Sequence, residues 1–145
     1  MQISNIAETS LYTSDIEAAR KFYGEILGLE EMSYEPNYRV FYKIGEIWLL
    51  IFNPAQTNQI NVVLGNPIPT HGTSGSSHLA LQISIDDYSA WEERLDKHNV
   101  VIELNANWVG GRRSMFFRDN EGNLLELNTG DVLTEFHKII PSCDR

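Results

Sequence analysis

The chain has 145 residues, which is enough for about one domain with a buried core. Its content of 42% hydrophobic and 21% charged residues is ordinary for a globular protein. The formal net charge is −9, from 11 Lys and Arg against 20 Asp and Glu, and it argues against nucleic acid or an anionic membrane as a partner because both bind basic patches.

The first predicted module covers about residues 5–53. It begins with a short strand and an amphipathic helix over 8–30, where apolar side chains recur at helical spacing and Gly28 supplies a stop. The remaining strands of the module are predicted near 29–35 and in a hairpin over 38–52. The order of elements is therefore strand-helix-strand-strand-strand.

A linker rich in Pro and Gly is predicted over about 54–76, and its "INVVL" segment (60–64) favours a short additional strand. The second module, about 77–129, repeats the plan of the first. The tail, 130–145, is predicted to contain a terminal helix over 131–140. The elements predicted for the second module are a strand and a helix over 78–99, a strand near 100–106, and a hairpin over 113–128.

The similarity between the modules predicts the fold class. "VFYK" (40–43) matches "MFFR" (115–118), each inside the hairpin of its module. We expect an α+β fold in which two tandem βαβββ modules form a curved, mostly antiparallel eight-stranded sheet, with the helices on its convex face. The concave face would then form a groove, and residues 1–145 would make a single domain.

The candidate metal site starts from Glu126, a carboxylate within the buried-strand segment "LLEL" (124–127). An unpaired buried charge is costly, so Glu126 needs a partner. Strand alternation places His78 and Glu8 on the less apolar faces of their own strands, at equivalent positions of the two modules. One imidazole and two carboxylates facing one groove suit a divalent metal, and three protein ligands leave positions open for substrate.

Simpler interpretations remain open for each of these side chains. Glu126 is able to pair with an arginine such as Arg113, which the hairpin register places nearby. His78 follows the Ser- and Gly-rich "GTSGSS" and is compatible with a loop-edge histidine, while Glu8 is compatible with a solvated carboxylate.

Substrate-binding candidates follow from the same alternation. Tyr42 is expected opposite Leu49 and facing the groove, with Phe117 as its repeat equivalent. Arg113 shares the face of Phe117, and together with Trp108 in "NWVGGRRS" it is suited to bind an anionic oxygen. The alternatives are that Tyr42 and Phe117 only pack in the groove, and that Trp108 anchors a loop.

Three segments carry a resemblance to a known family: "LYTSDIEAARKFYGEILGLE" (11–30), "SHLALQI" (77–83) and "MFFRDNEGNLLEL" (115–127). With these segments the chain resembles the vicinal oxygen chelate superfamily, which includes glyoxalase I, fosfomycin-resistance enzymes, extradiol dioxygenases and bleomycin-resistance proteins. The likeness spans about residues 6–128 and is specific for the fold, whereas the same scaffold hosts many reactions.

The resemblance implies that metal ligands come from the first and last strands of each module, at Glu8, Leu49, His78 and Glu126. Leu49 has no ligating atom, so the full ligand set of glyoxalase I is incomplete and glutathione-dependent glyoxalase activity is not expected. A Glu/His/Glu set favours a hard divalent ion, Mn, Fe, Ni or Mg, and leaves Zn open. By analogy with the family, Glu8 would also serve as a general base after leaving the metal.

The expected function is a metal-dependent, cytoplasmic enzyme that acts as a Lewis acid on a small oxygen-chelating substrate, as a lyase, an isomerase, or a catalyst of thiol or water addition. The family also implies a homodimer, with the site formed within one chain or across two chains. The alternative is a non-catalytic dimeric protein that binds a small aromatic or antibiotic ligand, with Trp48 expected on the helix-packing face and therefore poorly placed for it.

Overall fold

A computed structural model of the chain describes residue 2 and residues 4–130. The terminal helix predicted over 131–140 lies outside the described residues. Within the described part of the chain, no helix is long and apolar enough to cross a membrane.

The first module has the predicted order of elements. Its helix begins after Asp15, whose carboxylate accepts a hydrogen bond from the backbone N–H of Ala18, and it ends before Gly28, which has a φ of +70°. The elements are β1 (Glu8–Tyr12), α1 (Ile16–Ala19) continuing as a π-helical segment (Arg20–Ile26), β2 (Glu30–Glu35), β3 (Arg39–Ile44) and β4 (Ile47–Phe52).

The segment between the modules contains more structure than a linker. It holds a short helix, α2 (Pro54–Thr57), and a hairpin of β5 (Asn61–Val63) and β6 (Asn66–Ile68). The short strand predicted within 60–64 is thus confirmed. The second module then follows with β7 (His78–Gln82), α3 (Tyr88–Lys97), β8 (Ile102–Asn107), β9 (Arg113–Arg118) and β10 (Leu124–Asn128).

The strands of the two modules form two four-stranded sheets with the same topology. The orders are β1-β4-β3-β2 and β7-β10-β9-β8, and in each sheet the first pairing is parallel and the other two are antiparallel. The α+β class and the repeated βαβββ plan are therefore confirmed. Where one eight-stranded sheet was expected, the described residues form two four-stranded sheets and the two-stranded β5–β6 hairpin.

The described residues divide into two compact units that follow the modules. The first contains the residues up to Ser77 together with the turn Asp119–Gly122, and the second contains His78–Arg118 and the residues from Asn123 onward. Within the first unit, Glu121 accepts hydrogen bonds from the Thr13 hydroxyl (2.8 Å) and from the backbone N–H of Ser14 (3.0 Å).

Each sheet buries one face, which we call the helix face, against the helix of its module. In the first unit Tyr42 and Leu49 are fully buried, and the Tyr42 ring lies 6.1 Å from that of Tyr23. In the second unit Phe117 and Leu125 are fully buried. The opposite face of each sheet, which we call the free face, carries the side chains that alternate along each strand with the buried ones of the helix face.

The predicted orientation of Tyr42 and Phe117 is wrong. Tyr42 does lie opposite Leu49, as expected, but both side chains are on the helix face. Phe117 pairs with Leu125 rather than with Glu126 and is likewise buried. Because strand side chains alternate with a period of two, an error of one residue in matching the two hairpins moves a side chain to the other face.

The register identifies where that error arises. Glu8 pairs with Trp48, whereas His78, its repeat equivalent, pairs with Leu124. Trp48 is therefore equivalent to Leu124, and Leu50 rather than Leu49 is equivalent to Glu126. The position still offers no ligating atom. Trp48 accordingly belongs to the free face, so its predicted placement on the helix-packing face is also wrong.

Candidate active site

His78 and Glu126 approach each other on the free face of the second sheet. β7 and β10 run parallel, and the register places His78 beside Leu124 and Ala80 beside Glu126. The imidazole Nε2 lies 3.4 Å from a carboxylate oxygen of Glu126. The His78 side chain is 48% exposed and that of Glu126 is 12% exposed, so the pair is open to solvent from the histidine side.

The backbone determines which nitrogen of His78 faces the carboxylate. The imidazole Nδ1 lies 3.1 Å from the carbonyl oxygen of Leu124. A carbonyl oxygen only accepts hydrogen bonds, so Nδ1 must carry the hydrogen and donate. In the neutral imidazole, Nε2 then presents its lone pair to Glu126. This is the arrangement that metal-ligating histidines commonly have, with the second nitrogen oriented by a backbone carbonyl.

The other oxygen of Glu126 is held by a buried hydroxyl. Ser114, on β9, is fully buried and donates a hydrogen bond of 2.6 Å to that oxygen. The indole N–H of Trp108 donates in turn to the Ser114 hydroxyl at 2.8 Å. The result is a chain from Trp108 through Ser114 that fixes the orientation of Glu126. Ser114 was not among the residues predicted from the sequence, although Ser114 alternates with the buried Met115 and so belongs to the face of Glu126.

Arg113 lies on the opposite side of the second sheet from Glu126. Its guanidinium carbon is 3.7 Å from the ring centroid of Tyr88, and its Nη2 is 3.9 Å from a carboxylate oxygen of Glu92 on α3. The alternative that Arg113 pairs with Glu126 is therefore wrong, and so is the prediction that Arg113 faces the groove. Trp108 contacts Ser114 rather than forming only a loop anchor.

Glu8 lies in the first unit, on β1. The matched residues Lys43 and Arg118 pair with Trp48 and Leu124, respectively. Those two residues pair in turn with Glu8 and His78, so the register agrees with the predicted equivalence of Glu8 and His78. Within residues 2 and 4–130, no three His, Cys, Asp or Glu side chains form a cluster suited to a metal ion. The pair formed by His78 and Glu126 is thus the part of the predicted site whose geometry is visible, and the participation of Glu8 stays a prediction.

The first unit contains a groove of about 600 Å³ that sequence reasoning missed, and we call it the free-face groove. Its floor is the free face of the first sheet, including Glu8, Phe41 and Leu50, and its opposite wall comes from the segment after β4, including Val63 and Ile68. Alternation along β3 was the available signal, since Phe41 is next to the buried Tyr42. The remaining lining residues are Ser10, Tyr12, Tyr38, Arg39, Phe52, Asn61, Pro69 and His71.

These features, a repeated βαβββ module and a histidine–carboxylate pair on its free face, define the class of protein. The sequence model of the Glyoxalase/Bleomycin resistance protein/Dioxygenase superfamily matches residues 5–127. The chain belongs to this superfamily, as the resemblance implied.

Individual relatives agree with this assignment. The metallothiol transferase FosB of Staphylococcus haemolyticus is 27% identical over 131 residues, covering 90% of this chain and 86% of the relative. The fosfomycin resistance protein FosX of Listeria innocua is 23% identical and covers 94% of this chain and 99% of the relative. The crystal structure of a lactoylglutathione lyase from Agrobacterium tumefaciens is 33% identical, with a TM-score of 0.78 over 88% of this chain and 94% of that chain. These relatives support the prediction that the chain is an enzyme of the superfamily.

Proposed function

We propose that the protein is a metal-dependent enzyme in which His78, Glu126 and Glu8 hold a divalent cation. A small substrate would bind to this cation through two neighbouring oxygens. The donor set, one imidazole nitrogen and carboxylate oxygens, suits Mn, Fe, Ni, Zn or Mg. A FosX structure from Listeria monocytogenes, 21% identical to this chain, is a complex with Mn(II) and a dihydroxypropylphosphonic acid.

The observation that carries the proposal is the 3.4 Å approach of His78 Nε2 to Glu126. With Nδ1 donating to the Leu124 carbonyl, neutral His78 presents a lone pair to the lone pairs of a carboxylate. The two atoms repel each other unless a cation lies between them, either a proton on Nε2 or a metal ion. A divalent metal ion takes this position in the proposal, and it would also offset the charge of the carboxylate set among leucines in β10.

The chain supplies orientation around this centre. Ser114 and the Leu124 carbonyl fix Glu126 and His78, so that their free ligand atoms point to the same place. The bound ion would act as a Lewis acid that stabilises negative charge developing on a substrate oxygen. Glu8, when not bound to the ion, would accept a proton from the substrate or from an attacking water or thiol on its carboxylate oxygen.

The reaction classes that fit are isomerisation, lyase chemistry, and addition of a thiol or water. The relatives include a metallothiol transferase and a lactoylglutathione lyase, so these classes stay open. All of them develop charge on an oxygen next to the reacting carbon, so the same pair of side chains serves each one.

Metal analysis of untagged protein purified without chelator tests the proposal. We expect about one divalent ion per chain, because three ligands form one site. His78→Ala and Glu126→Gln should each reduce the metal content at least tenfold, since each removes a ligand atom. Matched controls are His98→Ala, at the end of α3, and Glu103→Gln, whose carboxylate pairs with Arg118 at the surface.

Full metal content in both His78→Ala and Glu126→Gln would contradict the assignment of these ligands. Loss of metal in the two control variants as well would show that the ion binds elsewhere. Circular dichroism of each variant separates loss of a ligand from loss of the fold.

Mixing the Glu8→Gln variant with the Glu126→Gln variant tests whether the Glu8 of each metal site comes from a second copy of the chain. We propose a homodimer, as is common in the superfamily. If the site is shared, a mixed dimer of Glu8→Gln and Glu126→Gln contains one intact site and regains metal. If each site forms within one chain, mixing restores nothing. Either result contradicts one of the two arrangements.

The alternative function, a non-catalytic binder of an aromatic ligand, loses part of its original support. Tyr42 and Phe117, the aromatic side chains that were expected to face the groove, are fully buried on the helix faces. The free-face groove offers different aromatic side chains for the same purpose. Tight binding of an aromatic ligand by protein that never binds metal would favour this alternative.

A further inference from the structure

We propose that the free-face groove binds the distal part of an extended substrate, which carries an anionic group and an apolar, preferably aromatic, segment. The inference rests on the proposed function, because Glu8 connects the groove to the metal-binding set. It deepens that function by assigning a substrate class: an apolar organic acid whose two chelating oxygens lie at the end remote from its anionic group.

The floor of the groove is suited to an apolar segment. The rings of Phe41 and Phe52 lie 5.3 Å apart in an edge-to-face arrangement, and Tyr12 lies 6.4 Å from Phe52. Leu50 completes this surface, and Val63 of the β5–β6 hairpin lines the groove from the opposite side. A groove of about 600 Å³ has the size of ordinary small-molecule sites, which are largely apolar with a few polar groups that fix orientation.

Arg39 supplies the polar group. Its guanidinium carbon lies 5.1 Å from the ring centroids of both Tyr38 and Phe41, so the cation is stacked beside the apolar floor. The Arg39 Nε is buried and has no hydrogen-bond acceptor among the described residues. A carboxylate oxygen of Glu35 lies 3.3 Å from it, at ion-pair distance but without hydrogen-bond geometry, and the Glu35 side chain is 53% exposed.

The Arg39 side chain is 27% exposed and lines the groove, so a carboxylate, phosphate or phosphonate oxygen that enters the groove would reach its guanidinium. Carboxylates and phosphates frequently pair with arginine through two hydrogen bonds. Arg39 therefore selects an anionic group, and Phe41 beside it selects an apolar one.

The strand register sets the length of the substrate. Glu8 is at one end of β1, and Arg39 pairs with Phe52, which pairs with Tyr12 at the other end of β1. Four residues along a strand span about 13 Å and two strand spacings add about 10 Å across the sheet, so the two backbone positions are roughly 16 Å apart. A ligand that contacts both side chains must be extended. A propylphosphonic acid such as the one in the FosX complex is shorter than this.

Binding of simple probes to the full chain, stripped of metal with a chelator, tests the groove. The probes are 4-phenylbutyrate, the uncharged 4-phenylbutanamide, and acetate, each titrated by isothermal calorimetry. We expect 4-phenylbutyrate to bind at least tenfold more tightly than either of the others, because only it offers both the apolar segment and the charge. Arg39→Gln should remove the preference for the acid over the amide, and Arg39→Lys should retain part of it.

Arg118→Gln is the matched control, since Arg118 pairs with Glu103 in the second unit, and it should bind 4-phenylbutyrate like the parent. Equal affinity for the acid and the amide in the parent, or an unchanged preference in Arg39→Gln, would overturn the proposal. His78→Ala separates it from the proposed function. If this variant loses metal and still binds 4-phenylbutyrate, both inferences hold. If it keeps metal and binds the probe, only the metal assignment fails.

Discussion

At the scale of single residues, the buried hydroxyl of Ser114 determines how Glu126 is presented. It donates to one carboxylate oxygen at 2.6 Å while accepting from Trp108 at 2.8 Å, so its own hydrogen is committed to Glu126. A hydrogen bond to a charged acceptor contributes about 1.5–3 kcal/mol. The carboxylate is thereby held in one orientation before any ion arrives.

Ser114→Ala should therefore weaken metal binding by roughly 10–100-fold, the usual effect of removing a group that orients a ligand. Trp108→Phe should have a smaller effect, because the Ser114 hydroxyl still reaches Glu126. Competition with a metal-chelating dye measures the affinity without any assay of activity. Ser33→Ala, an exposed serine of β2, is the control. Unchanged affinity in Ser114→Ala would contradict an orienting role for this hydroxyl.

At the scale of elements, the sequence predicted strand order well and strand faces less well. The boundaries of β2 and β8 fall near the predicted 29–35 and 100–106, because hydrophobic alternation and turn residues act locally. The placement of Tyr42 failed because it depended on matching Leu49 to Glu126 across two hairpins with turns of different length. Only the hydrogen-bonded register, with Ser10 beside Leu50 and Ala80 beside Glu126, resolves that difference.

The same reasoning explains what the sequence predicted about the site. His78 and Glu126 were identified correctly as neighbours because each sits on a strand whose less apolar face is clear from alternation within that strand. The free-face groove was missed because one wall includes Asn61, Val63 and Ile68 of the β5–β6 hairpin, a segment that the sequence indicated only as a linker with one short strand. Contacts between segments distant in sequence leave no periodic signal.

The turn Asp119–Gly122 allows a test at the element scale. Gly122 has a φ of +84°, and a Cβ built there would meet no atom within 4 Å, so Gly122→Ala introduces backbone strain without a clash. A left-handed non-glycine residue costs about 1–2 kcal/mol. The strain falls next to Glu121, which accepts hydrogen bonds from Thr13 and Ser14.

Gly72→Ala is the matched control, because its Cβ would make ordinary contact with Pro54 at 3.6 Å and no positive φ is involved. Both variants reduce the conformational freedom of the unfolded chain equally. Urea denaturation should therefore show Gly122→Ala to be less stable than Gly72→Ala by about 1–2 kcal/mol. Equal free energies of unfolding would mean that the turn relaxes without cost.

At the scale of the whole molecule, aromatic hydroxyls are buried in both units. Burial raises the pKa of Tyr12 and Tyr88, and it raises the pKa of Tyr42 and Tyr23 well above the usual value. The carboxylate of Asp119, which accepts a hydrogen bond of 2.7 Å from Tyr23, adds to the shift of the Tyr23 pKa. These phenols stay protonated in the native protein at a pH where the unfolded chain ionises.

The protein should consequently lose stability in alkali. A group whose pKa is higher in the folded state contributes stability below its unfolded pKa, about 10 for tyrosine, and that contribution declines as the pH rises through the folded value. Each buried phenol then removes up to about 1.4 kcal/mol per pH unit above pH 10. Urea denaturation at pH 8, 9, 10 and 11 should give constant free energies at first and a decline only above pH 10.

Two further measurements identify the cause of that decline. Tyr42→Phe should make it shallower, because the variant removes one phenol whose hydroxyl has no hydrogen-bond partner among the described residues. Added salt should leave the slope nearly unchanged, since desolvation rather than a neighbouring charge is the main cause of the raised pKa. Tyrosinate absorbance that rises fully while the protein remains folded would contradict the burial of these hydroxyls. A slope abolished by salt would instead assign the loss to repulsion among surface carboxylates that are no longer balanced once the lysines lose their positive charge.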